Sequence, residues 1–230
     1  MGKDEIAVMI HPNMLKITEK HIVLQSPVKL KTLSSGVVGP GFGSHHIFVN
    51  RHVDKNYQCT NHREDMERYL EENGFQPKES VGMMTAVKLE DVAYTWLEEK
   101  DMSLLIVVTA GTGNAVDAAN SENHSSEFQP GTINTWIFVN GTLSEEAFVQ
   151  SIVTATEAKV RALESLEVKD PITGTSATGT STDSILVGAT QQGTTLEYAG
   201  TITPLGKLIS KGVYTCTREA VEKSAKRKMH

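Results

Sequence analysis

Leu104-Leu105-Ile106-Val107-Val108 is the segment that most restricts how this chain can fold. An unbroken leucine and β-branched run of this length reads as a strand apolar on both faces. Such a strand needs cover on both sides, so the sheet that holds it cannot stand bare. The run ends abruptly in Thr109-Ala110-Gly111-Thr112-Gly113-Asn114, a polar, glycine-containing turn. The rest of the chain is read around this strand and the turn that leaves it.

Short strands are predicted for Ile6 to Ile10 and His21 to Leu24, with Pro12-Asn13 and Ser26-Pro27 as breaks between them. Leu30 to Leu33 leads into a glycine-rich loop at 34–43, and Ile47 to Val49 returns to strand. Met66, Tyr69 and Leu70 recur at helical spacing within 61–73, and Gly74 suits the C-cap. Val81 to Val87 reads as strand and Glu90 to Lys100 as helix, carrying Val92, Ala93, Trp96 and Leu97. A short helix is expected over Ala115 to Ala119, a loop over 120–131 and a strand over Thr132 to Val139.

Ser144 caps a long helix to about Leu166, with Glu145 and Glu146 in the first turn, where they favour the helix dipole. Its apolar stripe is Phe148, Ile152, Ala155, Ala162 and Leu166. Ile185 to Val187 is a strand, and Leu205 to about Lys226 a final helix. Gly212 within that helix costs about 1 kcal/mol relative to alanine, which implies close packing there. The fold expected is mixed α/β: a mixed sheet with packed helices in a single compact domain over residues 1–230, its site at glycine-rich strand-end loops. The length suits one large domain or two halves sharing a core, and neither a repeat nor a linker stands out.

Composition narrows the partners. A formal charge of −6 disfavours nucleic acid and anionic membrane, because both are polyanions. The basic group Lys223, Lys226, Arg227 and Lys228 reads as a last helical turn. The N-terminus lacks the apolar core of a signal peptide, and no run of about 18 apolar residues is present. A cytoplasmic location is the default expectation, which makes the sequons at Asn123 and Asn140 chance matches. Cys59 and Cys216 form no CxxC spacing, and no HExxH occurs. No cofactor or metal is therefore predicted, and the metal requirement stays open.

The chemistry is expected where strands end. Ser34-Ser35-Gly36, Thr109 to Asn114, Gly131-Thr132-Ile133-Asn134 and Ala177 to Asp183 each place glycine, hydroxyl or amide groups at such a point. Strand ends of an α/β sheet are where sites assemble. Gly111-Thr112-Gly113 does not complete a dinucleotide fingerprint, since Val116 stands where a small residue is needed, and no P-loop is present.

These loops, taken in order with Asn50-Arg51-His52-Val53, Val81 to Ala86, Ala155-Thr156-Glu157-Ala158-Lys159 and Pro204 to Ile209, resemble the CbiZ family over roughly residues 30 to 220. The resemblance implies an adenosylcobinamide amidohydrolase. Its products would be adenosylcobyric acid and 1-aminopropan-2-ol, and the acid would re-enter cobalamin synthesis. A small-molecule corrinoid is then the substrate, and a homo-oligomer is an open possibility.

Amide hydrolysis needs an activated water or nucleophile, donors for the oxyanion and an acid for the leaving amine. Asp183 is a candidate general base or metal ligand; alternatively it caps its loop through backbone amides. Glu157 is either a surface partner of Arg161 or a site carboxylate. Lys159 falls on the apolar stripe of the long helix, so it must reach out to solvent or meet an anion, with Asp183 or Glu157 the candidates. Substrate-binding candidates are Ser34, Ser35, Gly36, His45, Thr109, Asn114, Thr132, Asn134, Thr178, Gly179, Thr180, Ser181 and Thr182. The hydroxyls are favoured as donors over a covalent nucleophile, since no GxSxG elbow occurs. His45 and His46 are adjacent on a strand and should point to opposite faces. Phe42, Met83, Met84, Trp136 and Phe128 are candidate walls of an apolar site, or core. The competing reading is a corrinoid- or nucleotide-binding protein without hydrolysis.

Overall fold

A computed structural model describes residues 9–125 and 131–227. Most of the predicted strand over Ile6 to Ile10, the centre of the 120–131 loop, Phe128, Lys228 and His230 lie outside the described residues. The strands are β1 (Leu15–Ile17), β2 (His21–Ser34), β3 (Gly41–His52), β4 (Ser80–Thr85), β5 (Ala93–Glu99), β6 (Met102–Ala110), β7 (Ala115–Val116), β8 (Ile133–Asn140), β9 (Thr142–Leu143), β10 (Gly179–Thr180), β11 (Ser184–Ala189) and β12 (Thr195–Leu196). The helices are α1 (His62–Glu72), α2 (Glu145–Ser165) and α3 (Pro204–Arg227).

The main sheet has the order β4-β3-β2-β11-β8-β6-β5, with β1 added to β2. It is mixed: β3/β4 and β8/β11 pair in parallel, while β2/β3, β2/β11, β6/β8 and β5/β6 are antiparallel. The predicted central strand is β6, and every residue of it is buried. Its side chains alternate between two cores. Leu104, Ile106 and Val108 face α2 and α3, whereas Leu105 and Val107 face Trp136, Phe138, Phe48 and Met83.

That second core shows how the sheet covers its inner face without a helix. The sheet curls so that β3 and β4 lie over β6 and β8. Phe48 meets Phe138 at a ring separation of 4.8 Å, and Trp136 Nε1 donates to Met83 Sδ at 3.3 Å. A third cluster, with Met66 and Leu70 of α1 against Val23, Ile47 and Val49, covers the outer face of β3.

Local chemistry explains where the elements start and stop. Ser144 Oγ accepts the amide of Ala147, and Asn61 Oδ1 accepts that of Glu64, each capping its helix. Gly74 takes φ +79° after α1, a left-handed end that glycine adopts without steric cost. Gly212 is packed as its position implies: an added Cβ would stand 2.3 Å from Ile106 Cδ1.

Several expectations are corrected. Glu90 to Lys100 is not a helix: a short 3-10 turn at Leu89–Asp91 leads into β5, which forms a hairpin with β6 through Lys100 and Asp101. Val92, Tyr94, Thr95 and Trp96 are β-branched or aromatic, and the long pairing with β6 decides the outcome. Ser26-Pro27 does not end a strand. β2 runs through it, and the register to β3 slips between Gln25 and Leu30, where a proline without an N–H is tolerated. Gly41 to Ser44 belongs to β3 rather than to a loop. The helix expected over Ala115 to Ala119 is replaced by β7 and a 3-10 turn at Ala118–Asn123.

Candidate active site at the strand ends

The ends of β2 and β6 and the beginnings of β8 and β11 fall at one end of the sheet, the curl brings the end of β4 to them, and hydrogen bonds tie the loops there to one another. Gly111 N donates to Thr132 O, Thr178 N to Val116 O, and Ser35 N to Ile185 O. Thr132 Oγ1 donates to Thr182 O at 2.7 Å, and Thr182 Oγ1 returns a bond to Gly131 O at 2.8 Å. Asn114 Nδ2 donates to Ser181 Oγ at 2.7 Å. Gly131 is required at this junction: its φ is +153°, and an added Cβ would lie 2.1 Å from Asn114 Oδ1.

Asp183 is the hub. Its Oδ1 accepts the Ile133 amide at 3.0 Å and the Thr180 hydroxyl at 2.5 Å. Its Oδ2 accepts Lys159 Nζ at 2.5 Å. Lys159 comes from α2, and its side chain is only 15% exposed, against 19% for Asp183. The lysine on the apolar stripe of α2 thus meets an anion instead of reaching out to water, as a charge in that setting requires. Gly179 makes the approach possible, because a Cβ there would stand 2.5 Å from Asp183 Oδ2 and 2.8 Å from Lys159 Nζ. The pair sets a carboxylate and an ammonium group together with two further donors, and it stays partly open to water.

The remaining candidates divide into groups. Thr109 and Asn134 are buried and committed to Asn50: Asn50 Nδ2 donates to Thr109 Oγ1, and Asn134 Nδ2 donates to Asn50 Oδ1 and to Met84 O. They close the floor of the curled sheet. Ser34 Oγ accepts Gly36 N, and Gly36 packs so tightly on β4 that a Cβ would lie 2.9 Å from Gly82 O. Ser35 Oγ accepts Ile185 N, and Thr178 Oγ1 accepts Ala118 N.

Two candidates are placed elsewhere. Glu157 lies on the exposed face of α2, and Arg161 pairs with Glu164 instead of with it. His45 bonds Thr32 Oγ1 through Nδ1 and lines a separate groove with Glu67, Glu71 and the end of α1. Burial, and then the charge of Lys29, lowers its pKa. His46 points to the other face and bonds Glu79, as strand alternation demands. Of the candidate wall residues, Trp136 and Met83 are core, Phe42 is about half exposed, and Met84 lines a cavity.

That cavity has a volume of about 210 Å³ and is lined by Val37, Val53, Tyr57, His62, Met84, Thr85, Ala86, Gly131, Thr132, Thr182 and Ser184. Neither Lys159 nor Asp183 lines it. Thr182 and Ser184 face it, while Asp183 between them turns towards α2. A wider groove of about 640 Å³ shares Ala86 and Gly131 with it and includes His52, Lys55, Lys88, Gly111, Gly113 and Arg227. Among the described residues, no group of three or more His, Cys, Asp or Glu is close enough to hold a metal ion.

Sequence reasoning missed two supporting networks. Asp65 accepts Tyr57 OH, Arg51 Nη1 and Arg68 Nη2, each at 2.6 Å. Burial pushes its carboxyl up, but the bonds from Tyr57, Arg51 and Arg68 outweigh that and hold it at about 2. Burial, and then the bond to Asp65, raises the pKa of Tyr57, a wall of the cavity. Asp170, fully buried, accepts the amides of Asp117, Ile172 and Thr173 and the His124 ring. Burial acts against its charge, yet these donors keep its carboxyl well below the usual range. Alternation with Phe48 could have marked Asn50 as inward-facing; Asp65 and Asp170 carry no comparable local signal.

The family model for adenosylcobinamide amidohydrolase, CbiZ, matches residues 7–229. An adenosylcobinamide amidohydrolase of Methanosarcina mazei is 29% identical over 84% of this chain and 90% of its own length. The uncharacterized ABC transporter ATP-binding protein YvrA of Bacillus subtilis is 24% identical over 91% of this chain, which spans 38% of that relative. An uncharacterized protein of Methanocaldococcus jannaschii is 36% identical over 43% of this chain and 39% of its own length. The chain therefore spans well under half of two of these relatives.

Proposed function

This chain belongs to the adenosylcobinamide amidohydrolase family, CbiZ, and from that premise we propose that it hydrolyses the amide joining 1-aminopropan-2-ol to the corrinoid of adenosylcobinamide. The products are adenosylcobyric acid and the free amino alcohol, and the acid returns to cobalamin synthesis. The observation that carries the reading is the half-buried Lys159–Asp183 pair at the strand ends.

In the proposed reaction, Asp183 takes a proton from water through lone-pair capacity left by its three donors. The water oxygen bonds to the amide carbon. Lys159 stabilises the developing oxyanion and supplies a proton to the departing nitrogen. The C–N bond breaks, the acyl carbon keeps the new oxygen, the neutral amine leaves with the proton from Lys159, and the proton held by Asp183 passes to Lys159 to restore the pair. Thr180 and the Ile133 amide hold the carboxylate in place.

One observation favours a corrinoid-binding protein without hydrolysis: three donors already occupy Asp183, as they would in a purely structural carboxylate. Incubation with adenosylcobinamide in ¹⁸O-labelled water separates the two. Hydrolysis gives free 1-aminopropan-2-ol and adenosylcobyric acid carrying heavy oxygen in its new carboxylate. Tight binding without amine release would overturn the proposal.

A further inference from the structure

We propose that Asp170 is a positioning residue for the reaction: through the short ribbon of β7 and β10 it sets the Thr180 hydroxyl on the Asp183 carboxylate. This rests on the amide-hydrolysis reading above. Asp170 is a charge that the reaction itself does not use. It is fully buried, and burial acts against its ionised form, yet the amides of Asp117, Ile172 and Thr173 and the His124 ring hold its carboxyl well below the usual range. A buried carboxylate is costly once a donor is missing, so its partners are held in one arrangement. Its Oδ2 accepts the Asp117 amide at 2.9 Å, directly after β7. Its Oδ1 accepts the Ile172 amide at 2.8 Å, in the turn ahead of β10. One side chain thus clamps the end of β7 to the turn that leads into its partner strand.

The ribbon needs that clamp. β7 and β10 have two residues each and form a sheet of their own, apart from the main sheet. A two-stranded ribbon of that length is not stable alone. Val116 pairs with Gly179 and Ala115 with Thr180, and Thr178 Oγ1 accepts the Ala118 amide at 3.0 Å. The Asp117 carboxylate reinforces the join by accepting the Thr175 hydroxyl at 2.6 Å. The His124 ring ties the 3-10 turn at Ala118–Asn123 to the Asp170 carboxylate at 3.0 Å. At the far end of the ribbon, Thr180 donates to Asp183 Oδ1 at 2.5 Å, and Gly179 beside it leaves the room in which Asp183 meets Lys159. Asp170 therefore acts on the reacting carboxylate through the Asp117 amide, the β7–β10 pairing and the Thr180 hydroxyl.

The test measures kcat and KM for 1-aminopropan-2-ol release from adenosylcobinamide, at a temperature below the thermal transition of every variant. Asp170→Asn turns an N–H group onto a backbone N–H in either orientation of its amide, so one end of the clamp is lost. Misplacing an acting group by ~1 Å costs about 10²-fold, and a carboxylate still held by Lys159 and Ile133 moves less, so kcat should fall about tenfold with KM within about twofold. Thr180→Val should also lower kcat. The double variant should fall no more than about twofold below the slower single variant, because both changes act on one contact. A purely structural aspartate would lower the melting temperature and leave kcat of the folded protein unchanged, or its loss would multiply with that of Thr180→Val. Either result would overturn the positioning role while leaving hydrolysis intact. If Asp170→Asn does not fold, Thr178→Val removes the side-chain tie between the same two strands, and the same cycle with Thr180→Val decides the matter. A wild-type protein that releases no amine would instead remove the hydrolysis reading, and the positioning role with it.

Discussion

Gly179→Ala inserts one methyl group between the two charges of the proposed site. Gly179 is buried in β10, and its Cβ position lies 2.5 Å from Asp183 Oδ2 and 2.8 Å from Lys159 Nζ. Ordinary carbon–oxygen contact begins near 3.4 Å, so the carboxylate must retreat by roughly 1 Å. Misplacement on that scale costs about 10²-fold in rate when the group acts on the reacting atoms. Overpacking of a close site costs about 1–3 kcal/mol, and each kcal/mol lowers Tm by about 2–4 °C in a chain of this size. The expectation is a kcat for 1-aminopropan-2-ol release reduced about 10²-fold in protein still folded at the assay temperature. Liquid chromatography–mass spectrometry follows the amine, and a thermal melt follows the fold. In an Asp183→Asn background the same methyl should add little, because both changes act on one unit. Gly179→Ala turning over within about threefold of wild type would refute the claim that the pair's geometry matters to the chemistry.

Four further outcomes follow from the same contacts. Lys159→Met should lower kcat about 10²–10³-fold, the usual size for loss of an oxyanion donor, as read by amine release. Asn50→Ala removes the donor to Thr109 Oγ1 and one of the two acceptors of Asn134 Nδ2, and at about 1–3 kcal/mol for each buried bond left unmade it should lower Tm by several degrees in calorimetry. Gly212→Ala gains about 1 kcal/mol of helix propensity but drives a methyl to 2.3 Å from Ile106 Cδ1, so its melt should show net destabilisation with turnover retained. Asp65 has a lower pKa folded, about 2, than its ordinary 3.8, so the unfolded chain takes the proton first. Its contribution is complete above about pH 4 and fades towards pH 2, and denaturant melts of Asp65→Asn should lack that part of the acid loss.

Much of the fold was legible because periodicity and burial agreed. The Leu104–Val108 run and the capped, striped α2 each admit one reading. β5 was not legible, since Val92, Ala93, Trp96 and Leu97 satisfy a helical spacing and only the hairpin with β6 selects the strand. Pro27 misled for a related reason: a proline at a bulge ends nothing, but a bulge exists only once β3 is in place. In the site, a charge on an apolar stripe left Lys159 to meet solvent, Glu157 or Asp183, and the fold selects Asp183. What did not follow is the curl of the sheet. It buries Thr109 and Asn134 against Asn50 and leaves His45 in another groove.

The most direct test is the rate of adenosylcobyric acid formation from adenosylcobinamide by wild-type protein and by Asp183→Asn, measured side by side by mass spectrometry. Wild type should yield acid and amine in equal amounts, and the variant should be slower by about 10²–10⁴-fold while remaining folded. An Asp183→Asn protein that forms the acid at the wild-type rate would contradict the assignment of the chemistry to this carboxylate.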